Sequence, residues 1–122
     1  TEKKIRNLNT AGIVILNQTV LLKGINDSPE VLEKLFRKLV ALKVKPHYLF
    51  HVDPADGNAH FMTGVDRALE IITSLRRNLS SLAMPVFAID LPKGGGKIAL
   101  SPDMRRGKRH FEDVDGRIVE YF

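Results

Sequence analysis

Ile13-Val14-Ile15-Leu16-Asn17-Gln18-Thr19-Val20-Leu21-Leu22 is nearly continuous in apolar and β-branched residues, the pattern of a parallel strand covered on both faces. Ser28-Pro29-Glu30 then supplies an N-cap, a proline for the first helical position and an acid for the positive helix end. Val31, Leu32, Leu35, Phe36, Leu39 and Val40 follow at helical spacing, so an amphipathic helix is expected there. A second strand reads from His47 to Val52 and stops at Asp53 and the turn-rich Pro54-Ala55-Asp56-Gly57-Asn58. Thr63 and Asp66 have capping-box spacing ahead of a stripe of Val65, Ala68, Leu69, Ile72, Leu75 and Leu79. A third strand, Val86-Phe87-Ala88-Ile89, begins after Pro85 and runs into Asp90.

Strand, helix, strand, helix, strand implies right-handed crossovers, and hence a parallel sheet with helices on its face. The expected class is α/β. Thr1 to Gly12 read as the end of a preceding helix, and a complete eight-stranded barrel takes about 250 residues. The expected architecture is therefore a partial, half TIM-type barrel: a parallel βαβαβ crescent over residues 1–100. A basic loop and a C-terminal hairpin over 101–122 follow it, the hairpin formed by Phe111-Glu112-Asp113 and Arg117 to Tyr121 around Asp115-Gly116. Ile98-Ala99-Leu100 reads as a short extension.

With 122 residues, 43% of them hydrophobic, one modest core is affordable. Lys plus Arg number 19 against 14 Asp plus Glu, and the formal charge of +5 favours anionic ligands without selecting nucleic acid. The absence of cysteine excludes disulfides, thiolate zinc sites and cysteine-held iron–sulfur clusters within these residues. No signal peptide or membrane-length apolar stretch is present, so a soluble, cytoplasmic chain without membrane partners is expected.

In parallel α/β folds ligands bind at the carboxyl ends of strands. Asp53 and Asp90 are placed there, on consecutive strands. Two such carboxylates suit acid–base work, metal binding or the grip of a cation; the residues around them are poor metal ligands, whereas an ammonium matches two acids. Capping or strand-end solvation is the plain alternative. Gly94-Gly95-Gly96-Lys97 follows, with its lysine seven positions after Asp90. The glycine amides can cradle phosphate, and Lys97 can contact it or form a Schiff base with a carbonyl cofactor. A Walker A loop is excluded because Ile98 follows the lysine. A mobile turn with a solvated lysine remains open beside these readings.

Taken in order, Asn17 to Asp27, Lys45-Pro46-His47-Tyr48 leading to Asp53, His60-Phe61, Pro85-Val86-Phe87 with Asp90, and Gly94-Gly95-Gly96-Lys97 resemble the C-terminal half of the lysine 2,3-aminomutase family, from about Ala11 to Leu100. The resemblance implies a radical S-adenosylmethionine enzyme that also uses pyridoxal 5′-phosphate. It implies that Lys97, on its glycine loop, carries the pyridoxal phosphate. It also implies that Asp53 and Asp90 hold the side-chain ammonium of an amino acid substrate, lysine or a related diamino acid. In that chemistry the cofactors carry the hard steps and the protein fixes geometry and charge.

The chain departs from the family at Lys93, where a fourth glycine is usual, at Phe50, where tyrosine is common, and at Met62 and Gly64 after His60-Phe61. The family's CxxxCxxC motif, which binds the 4Fe-4S cluster, belongs to its N-terminal half, and this chain has no cysteine. The 122 residues are thus expected to be a segment of a longer enzyme, inactive alone, with no zinc and no metal of its own. The exposed edge of its first strand is expected to promote a homo-oligomer.

The weaker signals are read as structural. Arg105-Arg106-Gly107-Lys108-Arg109 lacks interleaved aromatics and is expected to be a solvated loop rather than a nucleic-acid site. His47 and His51 share a strand face by parity but lack a third ligand, and His60 is left between a loop-orienting and a substrate-facing role. The competing function class is a noncatalytic α/β module that binds an anion or a partner chain through its basic surface.

Overall fold

The computed structural model describes residues 1–53 and 57–121; the Pro54-Ala55-Asp56 part of the expected turn lies outside the described residues. Helix α1 (Glu2–Thr10) leads into strand β1 (Ile15–Leu21), α2 (Pro29–Ala41), β2 (Val44–His51), α3 (Val65–Asn78) and β3 (Val86–Leu91). Strand β4 (Gly96–Ala99) completes a four-stranded sheet in the order β1-β2-β3-β4. Strands β5 (His110–Glu112) and β6 (Ile118–Glu120) form a separate antiparallel hairpin. The class is mixed α/β, and the described sheet is not closed into a barrel.

Strands β1, β2 and β3 are parallel, each joined to the next through a helix. Because strand order follows chain order, right-handed crossovers place α2 and α3 on the same side of the sheet. Leu32 and Phe36 of α2 and Ala68, Ile71, Ile72 and Leu75 of α3 meet Leu21, Leu49 and Phe87 of the sheet in one core. The other face stays uncovered among the described residues. β1 therefore alternates instead of being buried on both faces as its composition suggested: Leu21 is 1% exposed, whereas Leu16 and Val20 on the opposite face are 51% and 42% exposed. The apolar run is real, but these helices can cover only one side of it.

Ser28 caps α2 as expected, its hydroxyl accepting from the Val31 N–H at 3.4 Å and donating to Glu30 at 2.8 Å. The Glu30 carboxyl is held below the usual carboxylate range, first by its own backbone N–H and then by Ser28. The expected Thr63–Asp66 box does not form. Gly64 caps α3 with no side-chain bond, and Thr63 is buried with its hydroxyl unpartnered among the described residues. Thr63 is held from the other side, since its carbonyl oxygen meets the His51 ring Nε2. The β1–β2 register slips between Asn17 and Gln18, which leaves His47 as the extra residue of a bulge beside Pro46, a residue with no N–H for the ladder.

The segment after Asp90 differs most from a strand followed by a loop. β4 runs antiparallel to β3, and the glycines form the tip of a tight hairpin. The Gly95 N–H donates to the Pro92 carbonyl at 3.2 Å across Lys93 and Gly94, whose φ values are 55° and 75°. Two positive φ angles at the centre of such a turn match the right-handed twist of a β ribbon. The terminal hairpin is tied to the body through Arg77, whose guanidinium donates to the Val114 carbonyl at 2.7 and 3.2 Å.

Candidate functional site

The site lies on the open face, at the carboxyl ends of β1, β2 and β3. The register aligns Val20 with Phe50 and Phe50 with Ala88, so Asp90, two residues on, projects from the same face. Asp53 follows β2 by two residues. A cleft of about 300 Å³ is lined by Asp53 and Asp90 together with Val20, Phe50, Val52 and Asn58. The two carboxylates picked from the sequence thus share one concavity with an apolar wall.

Lys97 is the cross-strand partner of Asp90. Its amine does not pair with that carboxylate among the described residues. Nζ stands 4.8 Å from the centroid of the Tyr48 ring and 4.6 Å from that of Phe50. The two rings are stacked on each other with centroids 5.1 Å apart. An ammonium over aromatic faces is attracted by their quadrupoles. Phe50 is common to the shelf and the cleft, and so connects the amine to the carboxylates. This shelf was missed in reading the sequence, though the signal was available: Tyr48 and Phe50 are two apart on a strand and must share a face.

The loops that frame the cleft are fixed by backbone bonds. The Lys23 N–H donates to the Phe61 carbonyl at 2.9 Å, joining the end of β1 to the segment that follows β2. Asn26 closes the turn after β1, accepting from the Leu22 N–H at 2.7 Å and donating to the Val20 carbonyl at 2.9 Å. Asp27 accepts from the Gly24 N–H at 2.9 Å. The Asn and Asp of that stretch therefore have a local folding role. His60 is exposed, and its ring lies tilted by 43° against that of Phe61, with centroids 3.9 Å apart.

The remaining candidates separate from this site. Gly94, Gly95 and Gly96 do not line the cleft; they carry the turn above it, exposed, and no atom lies within 4 Å of where a Cβ would stand on Gly94 or Gly96. The approach to that backbone is open. Lys45 works at the far end of the sheet, donating to the Leu82 and Met84 carbonyls at 2.9 Å each, and burial lowers its pKa. No group of three or more His, Asp or Glu residues suited to a metal is present among the described residues. In the basic run, Arg106 pairs with Glu112 at 2.7 Å and Arg109 with Glu120 at 3.1 Å. Much of its charge is answered within the hairpin.

No protein-family model matches the chain. It is 51% identical, over 98% of its length, to a protein of Aquifex aeolicus named putative L-lysine 2,3-aminomutase. It is 46% identical, over 79% of its length, to the L-lysine 2,3-aminomutase of Bacillus subtilis. A third relative, the glutamate 2,3-aminomutase of Clostridioides difficile, is 40% identical over 84% of the chain. The chain spans 34%, 20% and 24% of the lengths of these three proteins. Identity at this level over nearly the whole chain leaves one conclusion: the chain belongs to the lysine 2,3-aminomutase family and corresponds to a part of its members' length.

Proposed function

We propose that the chain is the C-terminal, substrate-holding part of a lysine 2,3-aminomutase-like isomerase, which moves the α-amino group of L-lysine to the β carbon. One observation carries this reading: Asp53 and Asp90 line a single cleft whose wall, Phe50, also lies beneath the Lys97 amine. Relatives are named for both lysine and glutamate. Two carboxylates in the cleft favour a substrate ending in an ammonium and repel one ending in a carboxylate, so lysine or a related diamino acid is the proposed substrate.

The residues fit pyridoxal 5′-phosphate as a partner for Lys97. The chain presents a primary amine on an open face, and next to it a glycine turn in which Gly94 and Gly96 are unobstructed. When bound, that group supplies a carbonyl carbon able to hold an amine and a conjugated ring able to delocalise charge or spin. The chain's own residues orient the substrate. Asp53 and Asp90 accept hydrogen bonds from its ammonium, and Val20 and Phe50 give its methylene chain an apolar wall that displaces water. An iron–sulfur cluster does not fit these residues, which contain no cysteine. The proposed enzyme would therefore bind its cluster and S-adenosylmethionine elsewhere, and these 122 residues alone would be inactive.

In the same reading, residues 1–100 form part of a TIM-type barrel, with the uncovered face as its interior, and 101–122 are an appended hairpin. A cytoplasmic location is proposed for the enzyme, and self-association for these 122 residues taken alone, in which β1 pairs only with β2 among the described residues. The competing reading, an anion- or partner-binding module, is weakened by the acids paired with Arg106 and Arg109. The test is borohydride reduction of the chain after incubation with pyridoxal 5′-phosphate, followed by peptide mass spectrometry. The label is expected on Lys97 and absent from Lys97→Ala. Even labelling of the surface lysines would refute the assignment.

A further inference from the structure

Lys97 has two kinds of partner within its reach. Asp90 is directly opposite it on the same face of the β3–β4 ribbon, a position in which a lysine and an aspartate ordinarily attract each other. The amine nevertheless lies over Tyr48 and Phe50, 4.8 and 4.6 Å from their centroids, and no ion pair among the described residues joins it to Asp90. Asp90 lines the cleft with Asp53 instead. Were the ammonium to turn to Asp90, it would fill with the chain's own cation the place where an external cation would bind.

We propose that Tyr48 and Phe50 are positioning residues: they park the Lys97 ammonium on their stacked faces and so keep Asp53 and Asp90 available to an external alkylammonium group. This rests on the reading of the cleft as an ammonium site and adds to it a competition between two cations. A corollary follows from charge alone. The parked ammonium still repels a cation in the neighbouring cleft, so loss of the Lys97 charge tightens cation binding. Condensation of the deprotonated amine with an aldehyde, which forms a C=N bond and releases water, loses that charge where the imine stays unprotonated, and it would then couple the two sites in the favourable direction.

The experiment is isothermal titration of the purified chain with n-pentylammonium chloride at low ionic strength. The variant Y48L/F50L removes the shelf and keeps apolar bulk; it is expected to weaken binding about threefold as Lys97 turns to Asp90. Adding K97M to that background is expected to tighten binding about ninefold, against about threefold in the wild-type background, a non-additivity that damage to the shape of the cleft would not produce. Unchanged affinity in Y48L/F50L, or an equal gain from K97M in the two backgrounds, overturns the proposal. If Y48L/F50L does not fold, Y48L and F50L are taken singly through the same cycle: K97M is expected to tighten binding more in each than in wild type, and an equal gain in all three overturns the proposal. D53N and D90N report on the underlying reading separately. Wild-type binding that is absent, or indifferent to both, removes the ammonium site itself and the proposal with it.

Discussion

Gly95→Ala should open the hairpin that carries Lys97. A Cβ placed on Gly95 would stand 2.6 Å from the Leu91 Cβ, 3.3 Å from the Pro92 carbonyl oxygen and 3.4 Å from Leu91 Cδ1. The first of these atoms is attached directly to the backbone of β3, so no change of rotamer relieves the contact. The backbone must move, and overpacking of this kind costs about 1–3 kcal/mol. Leu91 is 39% exposed and pairs with Gly96 in the last rung of the ribbon, so the strain is released locally by opening that rung. The core built on Phe36, Leu49, Ile71 and Phe87 is elsewhere and should hold. The assay is amide hydrogen exchange read residue by residue. Exchange across Lys97 to Ala99 should accelerate by roughly fivefold to a hundredfold, the equivalent of that strain, while β1 and β2 keep their protection. Because Lys97 faces Asp90 one rung further in, labelling of Lys97 by pyridoxal phosphate should fall in the same variant. Wild-type exchange across β4 would refute the hairpin geometry and the argument built on it.

Two other outcomes test the local physics. Lys43 ends α2 at a φ of 57°, the left-handed position usually given to glycine, with its N–H bonded to the Val40 carbonyl at 2.9 Å. Lys43→Gly should raise stability by up to about 1 kcal/mol in urea unfolding, part of the relief being returned as unfolded-state entropy; a loss would contradict the assignment. The Asp113 carboxyl is held below its ordinary value of 3.8, chiefly by the Arg117 backbone N–H and also by that of Asp115. Its folded pKa is depressed, so its contribution to the β5–β6 hairpin is complete above the unfolded value and disappears as pH falls through the folded one. The amide shifts of Asp115 and Arg117, whose N–H groups donate to the Asp113 carboxylate at 2.9 Å each, should carry a transition with its midpoint below 3.8. A midpoint at or above 3.8 would sink that account.

The elements were legible because each is specified within a few residues. Ser28-Pro29 at the start of α2, the apolar stripe of α3 and the Asp115-Gly116 turn act through local hydrogen bonds and fixed dihedral angles. They form where the chain predicts them. The exceptions are positions where a contact distant in sequence wins. Thr63 carries a capping side chain, yet the bond from His51 to its carbonyl oxygen and its burial leave the cap to Gly64. The run Ile13 to Leu22 is apolar on both sides, but which side is covered depends on where α2 and α3 land.

For the site, Asp53, Asp90 and Lys97 could be chosen from the chain alone, since strand ends and glycine turns have local signatures. Their shared cleft could not, because it requires the register of three strands. The reversal of β4, the facing of Lys97 and Asp90, and the Tyr48–Phe50 shelf depend on a two-positive-φ turn and on pairing between strands that approach only in the folded chain. Short-range preferences set what each segment is, and the sheet register, a property of no single segment, decides which side chains meet.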